Sequence, residues 1–301
     1  MSENCKFELK WSFCEYKYLR CRRNISLSIN DQSKWRLLMK NVVITGSTRG
    51  IGLAMAVEFL KAGCNVTLSG RGGQLNDTLM NSISSYKENI IYVQCNVQSK
   101  DSIQELWDES IKRWGHVDIW INNAGQNTAH VNSWETIEAE TIAVIQTNLT
   151  GMIFGSQIAS VGMLKQGFGA IYSMEGLGSN NMIQVKTIHY GTTKHALTYY
   201  MKGLAKELKG TGVIAGRLSP GMMLTDFITK NQDGSPSEVI ANKSFIKIFN
   251  ILADTPDMVA KFFVPRILSN TKNNVQIAWL TNGKTMWRFM TAGLRKDRLL
   301  K

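Results

Sequence analysis

Residues 41–61 read NVVITGSTRGIGLAMAVEFLK, and the fold of the chain turns on how that stretch is parsed. Val42, Val43 and Ile44 form a short apolar run that Thr45 and Gly46 break; from Ile51 onward Leu53, Ala54, Ala56, Val57 and Leu60 recur at helical spacing. The pattern predicts a buried strand, a tight turn and a helix. Gly46, Gly50 and Gly52 fall in the turn, where a residue without Cβ lets the backbone approach a phosphate at the positive end of the helix. With Ser47, Arg49 and Ile51 between its glycines, the turn reads as a cradle for a pyrophosphate. Three glycines also fit an ordinary strand-to-helix turn, and the spacing is GxxxGxG rather than GxGxxG, so residues further on must decide.

Working outward, Asn65 to Ser69 reads as a second strand that ends at Gly70-Arg71. A carboxylate here accepts hydrogen bonds from the ribose 2′-hydroxyl of NAD, whereas an arginine favours the 2′-phosphate of NADP. No acid stands at this point, so Arg71, clamping from one side with Arg49 from the other, predicts NADP(H) preferred over NAD(H). Ile90 to Cys95 reads as a third strand leading into Asn96-Val97, and Asp101 to Trp114 as a helix closed by Gly115. A fourth strand, Val117 to Ile121, runs into Asn122-Asn123-Ala124-Gly125, and a long helical stretch is expected from about Glu135 to Lys165, with Asn148 inside it. Ala170 to Met174 and Val213 to Leu218 supply a fifth and a sixth strand, the last running into Ser219-Pro220-Gly221-Met222-Met223-Leu224-Thr225. Strands alternating with helices predict an α/β chain: a single Rossmann-like, doubly wound parallel sheet with helices on both faces and the ligand at its carboxyl edge.

Tyr190-Gly-Thr-Thr-Lys194 carries the chemistry. Residues four apart share a helix face, so the ammonium of Lys194 stands beside the phenol of Tyr190. A neighbouring cation favours phenolate, which predicts a Tyr190 pKa lowered from about 10 toward the working pH, where the phenol serves as general acid or base.

TGSTRGIG, NNAG and YGTTK in this order resemble the short-chain dehydrogenase/reductase family over roughly residues 39–283. The resemblance implies an oxidoreductase acting on a carbonyl or CH–OH group. It implies that Asn96 meets adenine with an acceptor oxygen where the family usually has an aspartate. Asn123, Ala124 and Gly125 would lie against the cofactor ribose, and Asn148 would hold a water leading to Lys194, which itself bonds the nicotinamide ribose. In the segment like PGxxxT, Pro220, Gly221 and Met223 would face the carboxamide through backbone, with Thr225 reaching the phosphates. One departure stands out. The family's serine after the fifth strand is missing: Gly176 or its neighbours fall where it belongs, Ser173 lies too deep in the strand, and Ser179 is the expected replacement. Glu175 is a carboxylate near the site without an explanation. DIWINNAGQN, SMEGLGS, SPGMMLTD and TPDMVAKFFVPRIL resemble, more narrowly, the chlorophyll b reductase subgroup, which reduces a formyl group on a chlorin ring with NADPH. The implied partner is a small-molecule carbonyl, bulky and hydrophobic in that reading. A steroid, sugar or 3-oxoacyl-carrier carbonyl fits the same site, and the missing serine supports a non-catalytic NADP sensor.

The chain's 301 residues suffice for one large domain with additions at its ends. No apolar run is long enough to span a membrane, and a cytoplasmic location is expected, with an organellar or membrane-peripheral one as the alternative. Five cysteines without a CxxC pair argue for free thiols and against a metal site. The net charge of +12 gathers at the ends: residues 1–38 carry eight basic and four acidic side chains, residues 284–301 six and one. That distribution speaks against nucleic acid as a partner. The leader 1–38 is expected to be a start-site extension upstream of Met39, poorly ordered and without chemistry. All four prolines lie at 220 or beyond, so 226–268 is expected to form an irregular substrate lid. Finally, 284–301 reads as a basic amphipathic helix. It suits a peripheral contact with an anionic membrane, or packing by its apolar side on the domain or on a second copy in a homo-oligomer.

Overall fold

In the computed structural model, the described residues are 39–75, 77–229, 235, 237–295 and 298–300. The leader 1–38 lies outside them.

Seven strands form one all-parallel sheet: β1 (Asn41–Ile44), β2 (Asn65–Gly70), β3 (Ile90–Gln94), β4 (Ile119–Asn122), β5 (Gly169–Met174), β6 (Val213–Ser219) and β7 (Val275–Ala278). Their order is β3-β2-β1-β4-β5-β6-β7. Helices α1 (Gly50–Lys61), α2 (Asp77–Ser82), α3 (Lys100–Trp114), α4 (Glu138–Ile145), α5 (Gly151–Gln166), α6 (Ile188–Glu207), α7 (Asp226–Thr229), α8 (Lys243–Leu252), α9 (Pro256–Ser269) and α10 (Asn282–Met290) connect or flank the strands. Side chains alternate across a strand, so both faces of this apolar sheet need cover. Val42 and Ile44 of β1 enter one core with Met55 and Phe59 of α1 and Phe263 of α9. Val43 enters the opposite core with Leu106 of α3, Met163 of α5 and Met201 of α6. Between β1 and β4 the strand order reverses, and the crevice at such a switch point is where this architecture binds its ligand.

Three expectations change. The stretch from Glu135 is not one even helix: α4 begins at Glu138, and one wider π-helical turn, Gln146–Thr150, joins it to α5. The region 226–268 is largely helical among the described residues, and α9 belongs to the core, with Val259, Ala260 and Phe263 fully buried. Pro256 opens α9 at its first turn, where no amide hydrogen is needed, and Pro265 is tolerated within it. Prolines there mark helix starts as much as irregular chain. The seventh strand was missed because Val275–Ala278 is short and only its Ile277 is buried.

The C-terminal stretch is turned inside out relative to an amphipathic helix docked by its apolar side. Arg288, Arg295 and Arg298 all reach the buried carboxylate of Asp254, whereas Met286, Trp287, Met290 and Leu294 are exposed. Three of the cations expected at lipid headgroups are thereby paired with one internal carboxylate, Arg288 buried and Arg295 and Arg298 partly exposed. No helix of the described residues is long and apolar enough to cross a membrane.

Candidate active site

The glycine turn, NNAG, the Glu175–Ser179 loop and the segment from Pro220 follow the carboxyl ends of β1, β4, β5 and β6. After β1, Gly46 takes φ +62°, and a Cβ there would come within 2.9 Å of Ala124 Cα. Only glycine lets the first turn lie against the NNAG loop. The Asn123 side chain locks the two together by donating to the carbonyls of Thr45 (3.0 Å) and Gly46 (2.9 Å). Thr225 Cγ2 lies 3.7 Å from the Cβ position of Gly50, so the segment after β6 reaches the same turn. Arg49, the residue before α1, caps no amide with its side chain, which leaves the first-turn N–H groups of α1 open to an anion.

Ser47 and Ile51 are buried, and the Ser47 hydroxyl is engaged inside the protein, donating to the Ile44 carbonyl (2.8 Å) and accepting from the Ser69 amide (2.9 Å). Its hydroxyl braces β1 against β2, and its backbone N–H donates to the Ser69 carbonyl (2.8 Å). Arg71, Gln94, Asn96, Ser102 and Glu105 line a cavity of about 240 Å³ beside the ends of β2 and β3. The sequence reading missed Glu105. It stands on α3, 34 residues after Arg71, and only the packing of α3 against β2 and β3 brings an acid to the place that seemed to have none. Arg49 is exposed and is not among the residues lining this cavity. The Asn96 side-chain oxygen already accepts from the Gln98 amide (3.2 Å), with Val97 buried beside it.

On the nicotinamide side, Pro220, Gly221 and Met223 follow β6, and Met223 forms an isolated bridge with Asp254. The π-turn places Asn148 fully inside. Its amide oxygen accepts from the Gln126 N–H (2.8 Å), and its amide nitrogen donates to the Gln126 carbonyl (2.8 Å) and to Thr193 Oγ1 (3.3 Å). Gly125 lies at the meeting point: its Cβ position is 3.4 Å from Asn148 Oδ1 and 3.9 Å from Lys194 Nζ. The NNAG loop, the π-turn and α6 are thus one assembly.

Tyr190 and Lys194 lie one turn apart on α6, with Lys194 Nζ 5.6 Å from the Tyr190 ring centre. The lysine is buried and donates to the Met174 carbonyl at 3.0 Å. Burial lowers its pKa to about 8, against the opposing charge of Glu175. The tyrosine departs from expectation: burial pushes its phenol up rather than down, so it stands as a protonated acid.

The missing serine has a structural counterpart. A Cβ on Gly176 would lie 2.2 Å from Tyr190 Oη, so this phenol occupies the space that a side chain there would need. Ser179, expected as the replacement, donates to the Lys194 carbonyl (3.2 Å) and accepts from the Gly176 amide (3.2 Å). Its single proton is committed, and it ties the loop to α6. Ser173 lies deep in the strand, as expected, fully buried: it accepts from Asn122 (3.2 Å) and lies 3.2 Å from the Met201 sulfur. Cys64 and Cys95 are buried free thiols pushed up by that burial to about 12 and about 11, which leaves them unreactive.

A nicotinamide dinucleotide fits these residues: an open helix start, glycines where backbone must approach, a cavity beyond β2, and an Asn123 side-chain oxygen buried without a partner among the described residues. The short chain dehydrogenase family profile matches residues 40–235. The chain is 33% identical over 271 residues to a chlorophyll(ide) b reductase, NOL, of Arabidopsis thaliana, covering 86% of this chain and 76% of that one. It is 30% identical over 285 residues to a probable chlorophyll(ide) b reductase, NYC1, of the same plant, covering 89% of this chain but spanning only 56% of that relative. Among solved structures, ElxO with NADP bound superposes with a TM-score of 0.70 at 29% identity, over 80% of this chain and 96% of that one. With motifs, sheet order and these likenesses in agreement, the chain belongs to the short-chain dehydrogenase/reductase family of oxidoreductases.

Proposed function

We propose that the protein reduces a bulky, apolar aldehyde or ketone with NADPH, in the manner that the names of its chlorophyll(ide) b reductase relatives suggest. The observation that carries this reading is the half-buried Tyr190 one helical turn from Lys194, whose ammonium lies 5.6 Å from its ring, with desolvation pushing the phenol up so that it holds its proton. Reduction needs such a group, because the developing alkoxide must receive a proton as it forms. When bound, the cofactor supplies the hydride. Tyr190 gives its proton to the substrate oxygen, Lys194 holds the nicotinamide ribose and offsets the charge left on Tyr190, and Asn148 keeps the NNAG loop and α6 in register. Ser179 supports this machinery through the loop rather than by touching substrate. The glycine turn with α1 takes the pyrophosphate, Asn96 and Val97 the adenine, Asn123 to Gly125 the ribose, and Pro220 to Thr225 the nicotinamide end.

Apolar side chains beside the phenol and on the segment before its helix support a large substrate. Phe227 packs 5.4 Å from the Tyr190 ring, and Met182, Ile183 and Val185 are exposed on the segment leading into α6. The relatives' chloroplastic designations favour the organellar alternative over the cytoplasmic one. The test is NADPH oxidation followed spectrophotometrically against aldehydes and ketones of graded size, a porphyrinoid aldehyde among them. Turnover that rises with apolar bulk is expected. Tight NADPH binding with no turnover on any of them would replace this reading with the NADP sensor, to which Gly176 in the serine's place lends its support.

Cofactor choice is tested separately. Arg71 lines the cavity beyond β2 to which this reading assigns the 2′-phosphate, and Glu105 in the same cavity works against it. NADPH is expected to bind at least about tenfold more tightly than NADH, about 1.4 kcal/mol, and Arg71→Ala to remove most of that difference. Equal affinities in the unmodified protein, measured by fluorescence titration, would sink the assignment.

A further inference from the structure

Glu175 is the carboxylate that the sequence left unexplained, and its surroundings give it a task. It follows β5 directly, is 2% exposed, and meets three other elements. Its Oε2 accepts from Gln276 Nε2 of β7 at 2.6 Å, and its Oε1 accepts from Thr198 Oγ1 of α6 at 3.3 Å. Arg217 of β6 approaches Oε1 at 3.5 Å.

That arginine is a weak partner. The contact is single and long, its Nη2 turns to Asn274 at 3.4 Å, and its Nε is buried with no partner among the described residues. A buried carboxylate with one loose, monodentate cation keeps much of its charge uncompensated, since strong Arg–carboxylate pairing is short and bidentate. The other buried cation nearby is Lys194. Its ammonium is fastened to the carbonyl of Met174, the residue preceding Glu175, and Thr198, which shares its proton between Glu175 and the Lys194 carbonyl, lies one turn beyond it. The titratable and charged groups facing Lys194 are Tyr190 on its own helix, Glu175 at the end of β5 and, behind it, Arg217 of β6. Gly125 and Asn148 contribute neutral groups only.

We propose that Glu175 is a positioning residue, the internal counter-ion that keeps Lys194 an ammonium beside Tyr190. The inference rests on the reductase reading for its consequence in turnover, but the charge relation exists in the cofactor-free protein. There it is consistent with the Glu175 charge opposing the burial that lowers Lys194. Without that charge, burial acts alone, and the lysine loses its proton at lower pH.

The test is an NMR titration of the ¹³C-labelled lysine side chains in the cofactor-free protein, the Lys194 signal being assigned by its absence from Lys194→Met. Two substitutions separate charge from shape. Glu175→Gln keeps the length of the side chain and removes the charge, whereas Glu175→Asp keeps the charge and loses the reach to Gln276. The Lys194 midpoint is expected to fall by about one unit, tenfold in the proton equilibrium, in Glu175→Gln and to stay near its parent value in Glu175→Asp. The basic limb of the kcat/KM profile for NADPH oxidation should follow it to lower pH. An unmoved midpoint in Glu175→Gln, or equal shifts in both variants, would show that the carboxylate only packs and would overturn the proposal. Should Glu175→Gln not fold, Arg217→Gln asks the same question from the other side: relieved of its competing cation, the midpoint must rise, and an unmoved one overturns the proposal. A shifted midpoint in a protein that turns nothing over would leave the counter-ion in place and remove the reductase reading instead.

Discussion

Tyr190→Phe is expected to lower kcat/KM for NADPH-dependent carbonyl reduction by about 10²- to 10⁴-fold, the range over which a positioned general acid contributes. The substitution removes one oxygen and leaves the packing in place. The ring keeps its contact with Phe227 at 5.4 Å and its position 5.6 Å from the Lys194 ammonium. The freed space faces Gly176, which has no side chain to fall into it. Folding and NADPH affinity should therefore change little, with the dissociation constant staying within about threefold, under about 0.7 kcal/mol. The informative measurement is the pair: single-turnover rate and cofactor affinity on the same preparation. A rate within tenfold of the parent would mean that the proton comes from elsewhere and that the phenol is a packing group.

Asp254→Asn is expected to destabilise the fold by about 3–5 kcal/mol, because it leaves the buried Arg288 guanidinium, with Arg295 and Arg298 beside it, without their partner. Few single positions hold so much together. The side chain is 1% exposed, accepts from Arg288, from Trp279 Nε1 at 2.8 Å and from Arg295 at 3.3 Å, and forms an ion pair with Arg298 at 3.2 Å. The same arginines also donate to the carbonyls of Ile251, Leu252 and Ala253, where α8 ends and its dipole is negative. Through its backbone, Asp254 donates to the Met222 carbonyl (3.2 Å) and accepts from the Leu224 amide (3.0 Å). Losing the hub should therefore also loosen the segment proposed to hold the nicotinamide end.

The pH dependence of this contribution has a definite sign. Burial alone pushes the Asp254 carboxyl up, but hydrogen bonds from Arg288 and Trp279 and the charges of Arg288 and Arg298 outweigh it and hold the carboxyl below its ordinary value. A carboxylate depressed in the folded state adds stability that is complete above the unfolded value of roughly 4 and is lost as pH falls through the lower folded value. Urea denaturation at neutral pH and in the acid range should show the parent losing that increment and Asp254→Asn, which never had it, losing less. An Asn variant within about 1 kcal/mol of the parent at neutral pH would show that the three arginines find other partners and that Asp254 is not the hub.

Local spacing was enough for the parts of this protein whose physics is local. The strand, turn and helix over 41–61 follow from a change of hydrophobic period around three glycines, and Tyr190 and Lys194 share a face because four residues make about one helical turn. The first six strands were legible for the same reason: each is a short apolar run bounded by turn residues, and the parallel, helix-covered sheet followed from their alternation with helices. Tertiary approach decided the rest. Nothing near Arg71 in sequence announces Glu105, and no pattern in YSMEGLGS shows that Gly176 faces the tyrosine hydroxyl or that the Ser179 proton is taken by a carbonyl. The direction of the Tyr190 shift was misjudged because adjacency of a cation can be read from spacing, whereas burial depends on everything packed around the phenol. The basic end of the chain teaches the same lesson. Its composition shows a polar and an apolar face, but which face turns inward depended on Asp254, more than thirty residues away, being buried and in need of cations. Sequence period sets which residues share a face, and only the folded chain decides what that face meets.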